Sequence, residues 1–178
     1  MRIDQLQQEF KFNCRYRPFP LHPETPAEGQ SLEQLFGAQM DIPAAMARLT
    51  QVAESLGLPF GQRSHTYNSR NAQELGLWVA DQKKFKVYVD AVYRAYFVNG
   101  INIAKPEELL KIIATIDLNV DEAKRVLQEK SYAALLDRDL ESAISSGIKA
   151  VPTLKCDGRE LVGFQSEEMY TAFLCDTL

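Results

Sequence analysis

The pattern of apolar and polar positions changes character twice along the chain. At the start, Ile3, Leu6 and Phe10 recur at spacings of three and four, which predicts the end of an amphipathic helix. From Phe10 to Tyr16, apolar residues alternate with Lys, Asn and Arg, which predicts a strand with its apolar side inward. Pro18 ends this strand, and further prolines keep the following loop extended.

From residue 31 to residue 146 the apolar spacing is helical almost throughout. One or two helical turns are predicted over Ser31–Phe36. Later helices are predicted to begin near residues that can cap or open them, which are Asp41, Asn68 or Ser69, Pro106, and Asn119 or Asp121. Two further helices are predicted from Phe85 and from Tyr132. The apolar faces of this block are predicted to form its core, and they include Met46, Leu49, Val52, Ala53, Leu56, Trp78, Tyr88, Tyr93, Tyr96 and Phe97.

Strand signals return near the C-terminus. The β-prone segment 151–155 is followed by Asp157-Gly158, a hairpin turn signal, and by a return strand over 160–162. Ser166 then caps a closing helix whose predicted inner face is Met169, Tyr170, Phe173 and Leu174. Because strands lie near both chain ends, we expect one α/β sheet formed by the ends, with a helical insertion between them.

Composition narrows the classes of partner. The 178 residues are 46% hydrophobic and 25% charged, which is typical of a soluble globular protein. A net charge of -4 disfavours nucleic acid as a partner, since phosphate backbones would be repelled. No apolar stretch approaches the roughly 20 residues of a membrane span, and residues 1–8 contain no apolar signal-peptide core. We therefore expect a cytoplasmic chain that binds neither nucleic acid nor membrane.

The residues best suited to redox or metal chemistry are few and scattered. Cys14, Cys156 and Cys175 form no Cys-x-x-Cys pair and have no metal-ligand spacing, so free, buried thiols are expected. His22 and His65 belong to no acidic cluster. No metal site is predicted.

Five segments in chain order carry a resemblance to a known family. They are Arg17–Glu24 (RPFPLHPE), Asn68–Ala72 (NSRNA), Arg94–Phe97 (RAYF), Gly147–Leu154 (GIKAVPTL) and Val162–Gln165 (VGFQ). Together they resemble the cytoplasmic DsbA-like branch of thioredoxin-fold proteins, which includes the FrnE-type oxidoreductases and the 2-hydroxychromene-2-carboxylate isomerases. The resemblance extends from about Phe10 to the C-terminus.

The resemblance implies a fold with one departure. It implies a thioredoxin-like sheet built from both chain ends, residues 1–36 and 148–178, with a large all-α insertion over residues 37–147. The family's first strand and catalytic turn are missing, since this sequence begins inside the helix that follows them. Three remedies are open: the strands over 10–16 and 151–155 pair directly, another chain fills the gap as in a homodimer, or the natural protein starts further upstream.

Val151 and Pro152 are the first predicted substrate-binding residues. A cis peptide bond is accessible at low cost only before proline, and in the thioredoxin fold a cis Val151–Pro152 bond would turn Val151 toward the active-site groove. The N–H and C=O of Val151 can then pair with an extended peptide, or with glutathione, as an added strand. The alternative interpretation is a trans proline that opens an edge strand.

Gln165, Ser166 and Asn68 complete the predicted binding set. Gln165 and Ser166 precede a helix whose first N–H groups attract an anion, and glutathione-binding relatives hold the γ-glutamyl end at this turn. Simple capping by Ser166 is the alternative. Asn68 can hydrogen-bond a ligand from the insertion, or it can only cap the helix that follows it.

No catalytic residue is predicted in this sequence. The oxidoreductases of the family carry Cys-Pro-x-Cys at the start of a helix, and the isomerases and kappa-class transferases carry a serine there. Neither nucleophile has a match here. Cys14 is predicted mid-strand on the apolar side, where a buried thiol is inert.

Three functions follow from the resemblance. The first is a DsbA-family thiol–disulfide oxidoreductase that acts on peptide or protein thiols but is inactive without the missing turn. The second is a glutathione-dependent isomerase or transferase, with glutathione as the bound thiol. The third is a non-catalytic module that binds a peptide at the cis-proline. The Arg17–Glu24 segment favours the first.

Overall fold

The computed structural model describes residues 2–175, most of them in helices. The helices are α1 (Arg2–Phe10), α2 (Leu32–Phe36), α3 (Ile42–Ser55), α4 (Arg70–Asp81), α5 (Phe85–Tyr93), α6 (Pro106–Thr115), α7 (Val120–Glu129), α8 (Ala133–Ser145) and α9 (Glu167–Cys175). A 3₁₀ turn, Gly37–Gln39, precedes α3, and a π-helical turn, Arg94–Val98, continues α5. The strands are β1 (Gln30–Ser31), β2 (His65–Thr66), β3 (Thr153–Cys156) and β4 (Arg159–Val162).

The chain divides into two compact units. The first combines both chain ends, Met1–Leu21 and Asp137–Leu178, and the second is His22–Leu136. Residues 22–36 therefore belong to the second unit and residues 137–147 to the first. The predicted division instead places residues 22–36 with the chain ends and residues 137–147 in the insertion over residues 37–147.

The first unit is built around the β3–β4 hairpin. Its strands are antiparallel, with register Thr153↔Val162 to Cys156↔Arg159. Asp157 and Gly158 both have positive φ, as the predicted two-residue turn requires. The core of this unit joins α1 and α9 to the hairpin through Leu6, Tyr170, Phe173 and Leu174, with Phe10, Phe12, Leu154 and Leu161 packed against them. Met169, predicted to face inward, is exposed because it lies at the edge of this face.

The predicted strand over Phe10–Tyr16 is wrong. Among the described residues, 11–20 adopt no regular structure, and neither β3 nor β4 pairs with them. A strand exists only where a partner ladder completes its backbone hydrogen bonds. Side chains attach this segment to α8 instead: Arg17 Nη1 donates to Ser142 Oγ at 2.8 Å, and Arg15 Nη2 lies 3.4 Å from Asp139 Oδ1. The sheet in this unit is therefore a C-terminal hairpin, without the strand expected from the N-terminal end.

The second unit contains the larger core. Buried residues of α4 to α7 form it: Ala72, Leu75, Trp78, Val79, Tyr88, Val92, Ala95, Ile103, Leu109, Ile112, Ile113, Ile116, Ala123 and Val126. Trp78 and Tyr88 lie inside as predicted, and the Tyr88 hydroxyl donates to the Ala72 carbonyl at 2.8 Å. Burial raises the pKa of Tyr88 far above its usual value.

Predicted helix starts are confirmed by their caps. Asp41 Oδ1 accepts from Ala44 N at 2.9 Å, and Asn119 Oδ1 accepts from Glu122 N at 3.0 Å. Ser31 and Gln34 form a reciprocal capping box at the start of α2. These caps work through contacts three residues apart, so the local sequence is enough to predict them.

Two apolar faces were assigned wrongly from spacing. On α3, Leu49 and Val52 are exposed, and Ala53 is buried. On α5, Tyr93 is 59% exposed, since it lies about 100° around the helix from the buried Val92. Periodicity identifies an amphipathic helix, but it does not say whether another element covers the apolar face.

Candidate functional site

Pro152 stands at the entrance to β3. The Val151–Pro152 peptide bond is cis. The Pro152 carbonyl accepts a hydrogen bond from Gly163 N at 2.7 Å, which extends the β3–β4 ladder by one pair. Thr153 Oγ1 donates to the Ala150 carbonyl at 2.7 Å, so the residues around Val151 are held by the hairpin and its own loop.

The backbone of Val151 is unpaired within the described part of the chain. Neither its N–H nor its C=O takes part in a hydrogen bond among residues 2–175, although both neighbouring carbonyls, of Ala150 and Pro152, are bonded. The residue is 40% exposed. One donor and one acceptor are therefore available at a fixed place beside β3, which is what an added strand needs.

The turn before α9 uses its side chains within the chain. Ser166 Oγ accepts from Met169 N at 3.3 Å, which is an N-cap. Gln165 Nε2 donates to the Val162 carbonyl at 2.7 Å. Both predicted residues lie in the same unit as Val151, and binding of a γ-glutamyl group by this turn stays a prediction.

Asn68 belongs to the second unit and has a full set of contacts. Its Oδ1 accepts from Arg70 N at 2.9 Å, while its Nδ2 donates to the carbonyls of Pro23 at 3.1 Å and Thr25 at 2.9 Å. The side chain thus closes the start of α4 and holds the loop before β1. The N-cap position of α4 is Ser69, whose side chain makes no cap bond among the described residues, so Asn68 supports the start of the helix from one residue before the cap. Ligand binding by Asn68 stays a prediction.

The thiols offer no catalytic pair. Cys14 and Cys156 are only half-buried and Cys175 is exposed, so the expectation of three buried thiols is wrong. Within the described residues, none of the three forms a disulfide bond. Over residues 2–175, no group of three or more His, Cys, Asp or Glu side chains could hold a metal ion. Nor does any helix in that range have the length and apolarity needed to cross a membrane.

One cluster in the second unit was missed by sequence reasoning. The Arg63 guanidinium lies over the rings of Tyr96 and Phe97, at 4.9 and 5.3 Å from their centroids. Thirty-odd residues separate Arg63 from these rings, and the sequence carries no local signal for the contact. The sequence singled out Tyr96 and Phe97 only as predicted core residues and as part of the family-like RAYF segment.

Comparison with known proteins decides the family. The model of the DSBA-like thioredoxin domain matches residues 1–174. The chain belongs to this family. Its fold is thus the predicted α/β thioredoxin-like fold with a large helical insertion, apart from the strand corrected above.

Solved structures agree on the fold. A probable DsbA oxidoreductase from Streptomyces coelicolor has a TM-score of 0.79 at 21% identity, over 90% of this chain and 73% of that one. A 2-hydroxychromene-2-carboxylate isomerase has a TM-score of 0.75 at 18% identity, over 98% of this chain and 84% of that one. No curated protein sequence matches. Both predicted branches, oxidoreductase and isomerase, are therefore among the structural neighbours of this DSBA-like chain.

Proposed function

We propose that this chain provides the substrate-binding part of a DsbA-type thiol–disulfide oxidoreductase. In this proposal, an extended segment of a thiol-containing polypeptide lies alongside Val151 and forms hydrogen bonds with its N–H and C=O. The single observation that carries the proposal is the unpaired backbone of this half-exposed residue, next to a completed β3–β4 ladder. Backbone pairing of this kind supplies affinity without requiring a particular side chain, as an enzyme acting on many polypeptides needs.

The chemistry of these 178 residues limits what the chain does alone. They contain no Cys-x-x-Cys pair, and none of Cys14, Cys156 and Cys175 lies at the N-terminus of a helix, the setting that activates a DsbA-type cysteine. We therefore expect the chain to bind a peptide but to show no turnover in a dithiol-dependent disulfide reduction assay. Turnover by the chain alone would contradict this assignment of roles.

Binding is tested by titrating the chain with an extended peptide that carries a central cysteine. We expect saturable heat in calorimetry and a shifted Val151 amide resonance. Val151→Pro removes the N–H donor and should abolish binding. Lys149→Pro removes an N–H from the same loop, at an exposed residue whose backbone forms no hydrogen bond within the described residues, and should preserve binding. Equal affinity of both variants would contradict the proposal.

Glutathione is the second ligand that we propose to test. It offers an extended γ-glutamyl peptide backbone, and the turn of Gln165 and Ser166 adjoins the same hairpin. If glutathione competes with the peptide and shifts the Val151 amide, the isomerase or transferase branch is favoured. Peptide binding that glutathione leaves unchanged favours the oxidoreductase branch. The predicted cytoplasmic location and homodimer are left as proposals, testable by fractionation and by light scattering.

A further inference from the structure

Arg63 stacks on rings that are themselves held in place. The loop that carries it is tied to the π-helical turn Arg94–Val98, since Gly61 N donates to the Phe97 carbonyl at 2.9 Å. A side chain at Gly61 would collide with the Val98 carbonyl, because an added Cβ would lie 2.2 Å from that oxygen. Tyr96 is fixed in turn by the contact between its hydroxyl and Thr66 Oγ1 at 3.0 Å. The guanidinium therefore stacks on rings that are themselves anchored.

The Arg63 guanidinium has no acidic partner. In the part of the chain that the structure describes, Arg63 forms no ion pair, and its Nε is buried without an acceptor. The two terminal nitrogens of Arg63, unlike its Nε, reach solvent. A partly buried charge without a counter-charge is unfavourable, and an incoming oxyanion that pairs with the terminal nitrogens of Arg63 would supply that counter-charge.

Apolar rings continue outward from the guanidinium. Phe97, which lies under Arg63, packs edge-on against Tyr93 at 5.6 Å between centroids and stacks on Phe60 at 6.2 Å. Tyr93 is 59% exposed. An exposed ring beside an unpaired arginine places an apolar contact and a charged contact side by side, which suits a ligand with both features.

We propose that Arg63, Phe97 and Tyr93 form a binding site for a small organic oxyanion with a planar apolar body. The carboxylate or phosphate group of the ligand pairs with the terminal nitrogens of Arg63, whose fork fits two oxyanion oxygens. The body of the ligand lies against the rings of Phe97 and Tyr93. Because the guanidinium is already stacked, little side-chain freedom is lost on binding.

The test uses four probes that separate the two parts of the ligand. Benzoate and phenyl phosphate carry a ring and an oxyanion, whereas inorganic phosphate lacks the ring and benzyl alcohol lacks the charge. We expect the first two to bind more tightly than the last two, and to shift the Arg63 Nε–H resonance in NMR titrations. The tighter of the two ring-bearing probes distinguishes carboxylate from phosphate as the preferred group.

Two matched variants test the role of the guanidinium. Arg63→Met keeps a long side chain over the rings, removes the charge and should lower affinity about tenfold to a hundredfold. Arg125→Met makes the same charge change at an exposed position on α7 and should leave affinity unchanged. Circular dichroism confirms that both variants are folded.

Three outcomes would overturn the site. They are absence of a shift in Arg63 with any probe, equal binding of benzoate and benzyl alcohol, and full affinity in a folded Arg63→Met variant. Should that variant fail to fold, the resonance of Arg63 in the wild-type chain decides alone. None of these residues belongs to the β3–β4 hairpin, so the result is independent of peptide binding at Val151.

Discussion

At the residue scale, Gly61 is a position where a single added carbon should matter, because it lies against the backbone of Val98. We expect Gly61→Ala to lower the free energy of unfolding by about 1–3 kcal/mol, because the new Cβ meets a backbone carbonyl that cannot rotate away. Urea unfolding provides the measurement. Gly76→Ala is the matched control: its nearest contact is a Tyr88 ring atom at 3.4 Å, and alanine is favoured over glycine inside α4. Similar destabilisation of both variants would contradict the close approach at Gly61.

The hydrogen bond of Tyr132 predicts that folding stability depends on pH in the alkaline range. Its hydroxyl donates to Asp81 Oδ2 at 2.6 Å, and this hydrogen bond, with burial and nearby negative charge, raises the pKa of Tyr132 to about 12. The neutral phenol is therefore favoured in the folded state. Its contribution to stability is fully present below the unfolded pKa of about 10 and is lost as the pH rises to about 12.

An ultraviolet titration isolates this group by subtracting Tyr132→Phe from the wild type. We expect the difference to titrate near pH 12, and Asp81→Asn to move it toward 10, since the main cause of the shift is removed. A wild-type difference that titrates near 10 would show that the bond to Asp81 does not form in solution.

Residues differ in how far the sequence reveals their role. Asp41 and Asn119 were predictable as caps, because their partners lie three residues away. Asn68 was predictable at the start of α4, but its bonds to Pro23 and Thr25 span more than forty residues and are set by the folded loop. Nothing in the local sequence predicts the stacking of Arg63, since this contact joins a loop to a helical turn about thirty residues later.

At the element scale, α3 and α4 have comparable apolar stripes but different surroundings. Leu75 in α4 is fully buried, whereas Leu49 in α3 is 48% exposed. Leu75→Ala should therefore lower the free energy of unfolding by about 2–5 kcal/mol, because buried apolar atoms are lost and a cavity is left in the core. Leu49→Ala should change it by no more than about 0.5 kcal/mol. Urea unfolding of the two variants provides the comparison, and equal losses would mean that α3 is covered in solution.

The segment after α1 shows the same limit on sequence reasoning. Its alternating pattern is that of a strand, and Phe12 does pack against the first unit's core. Strand formation, however, depends on a partner in the ladder, and alternation contains no information about that partner. The β3–β4 hairpin was predictable because its partner follows directly after a two-residue turn.

At the scale of the whole molecule, the order of motifs was more informative than any one of them. Short resemblances at Arg17–Glu24, Gly147–Leu154 and Val162–Gln165 were enough to place the chain in the DSBA-like family, which the family model then matched over residues 1–174. The division into units was less predictable, because the boundaries at residues 21 and 136 depend on packing between distant segments.

The central claim is that a polypeptide pairs with the backbone of Val151. Amide hydrogen exchange of Val151, measured in the free chain and in the chain saturated with the cysteine-containing peptide, tests it most directly. The free amide should exchange rapidly, since no acceptor is bonded to it in the described chain. Peptide should slow its exchange, with little change at Lys149. Bound peptide that leaves exchange at Val151 unchanged would contradict the account.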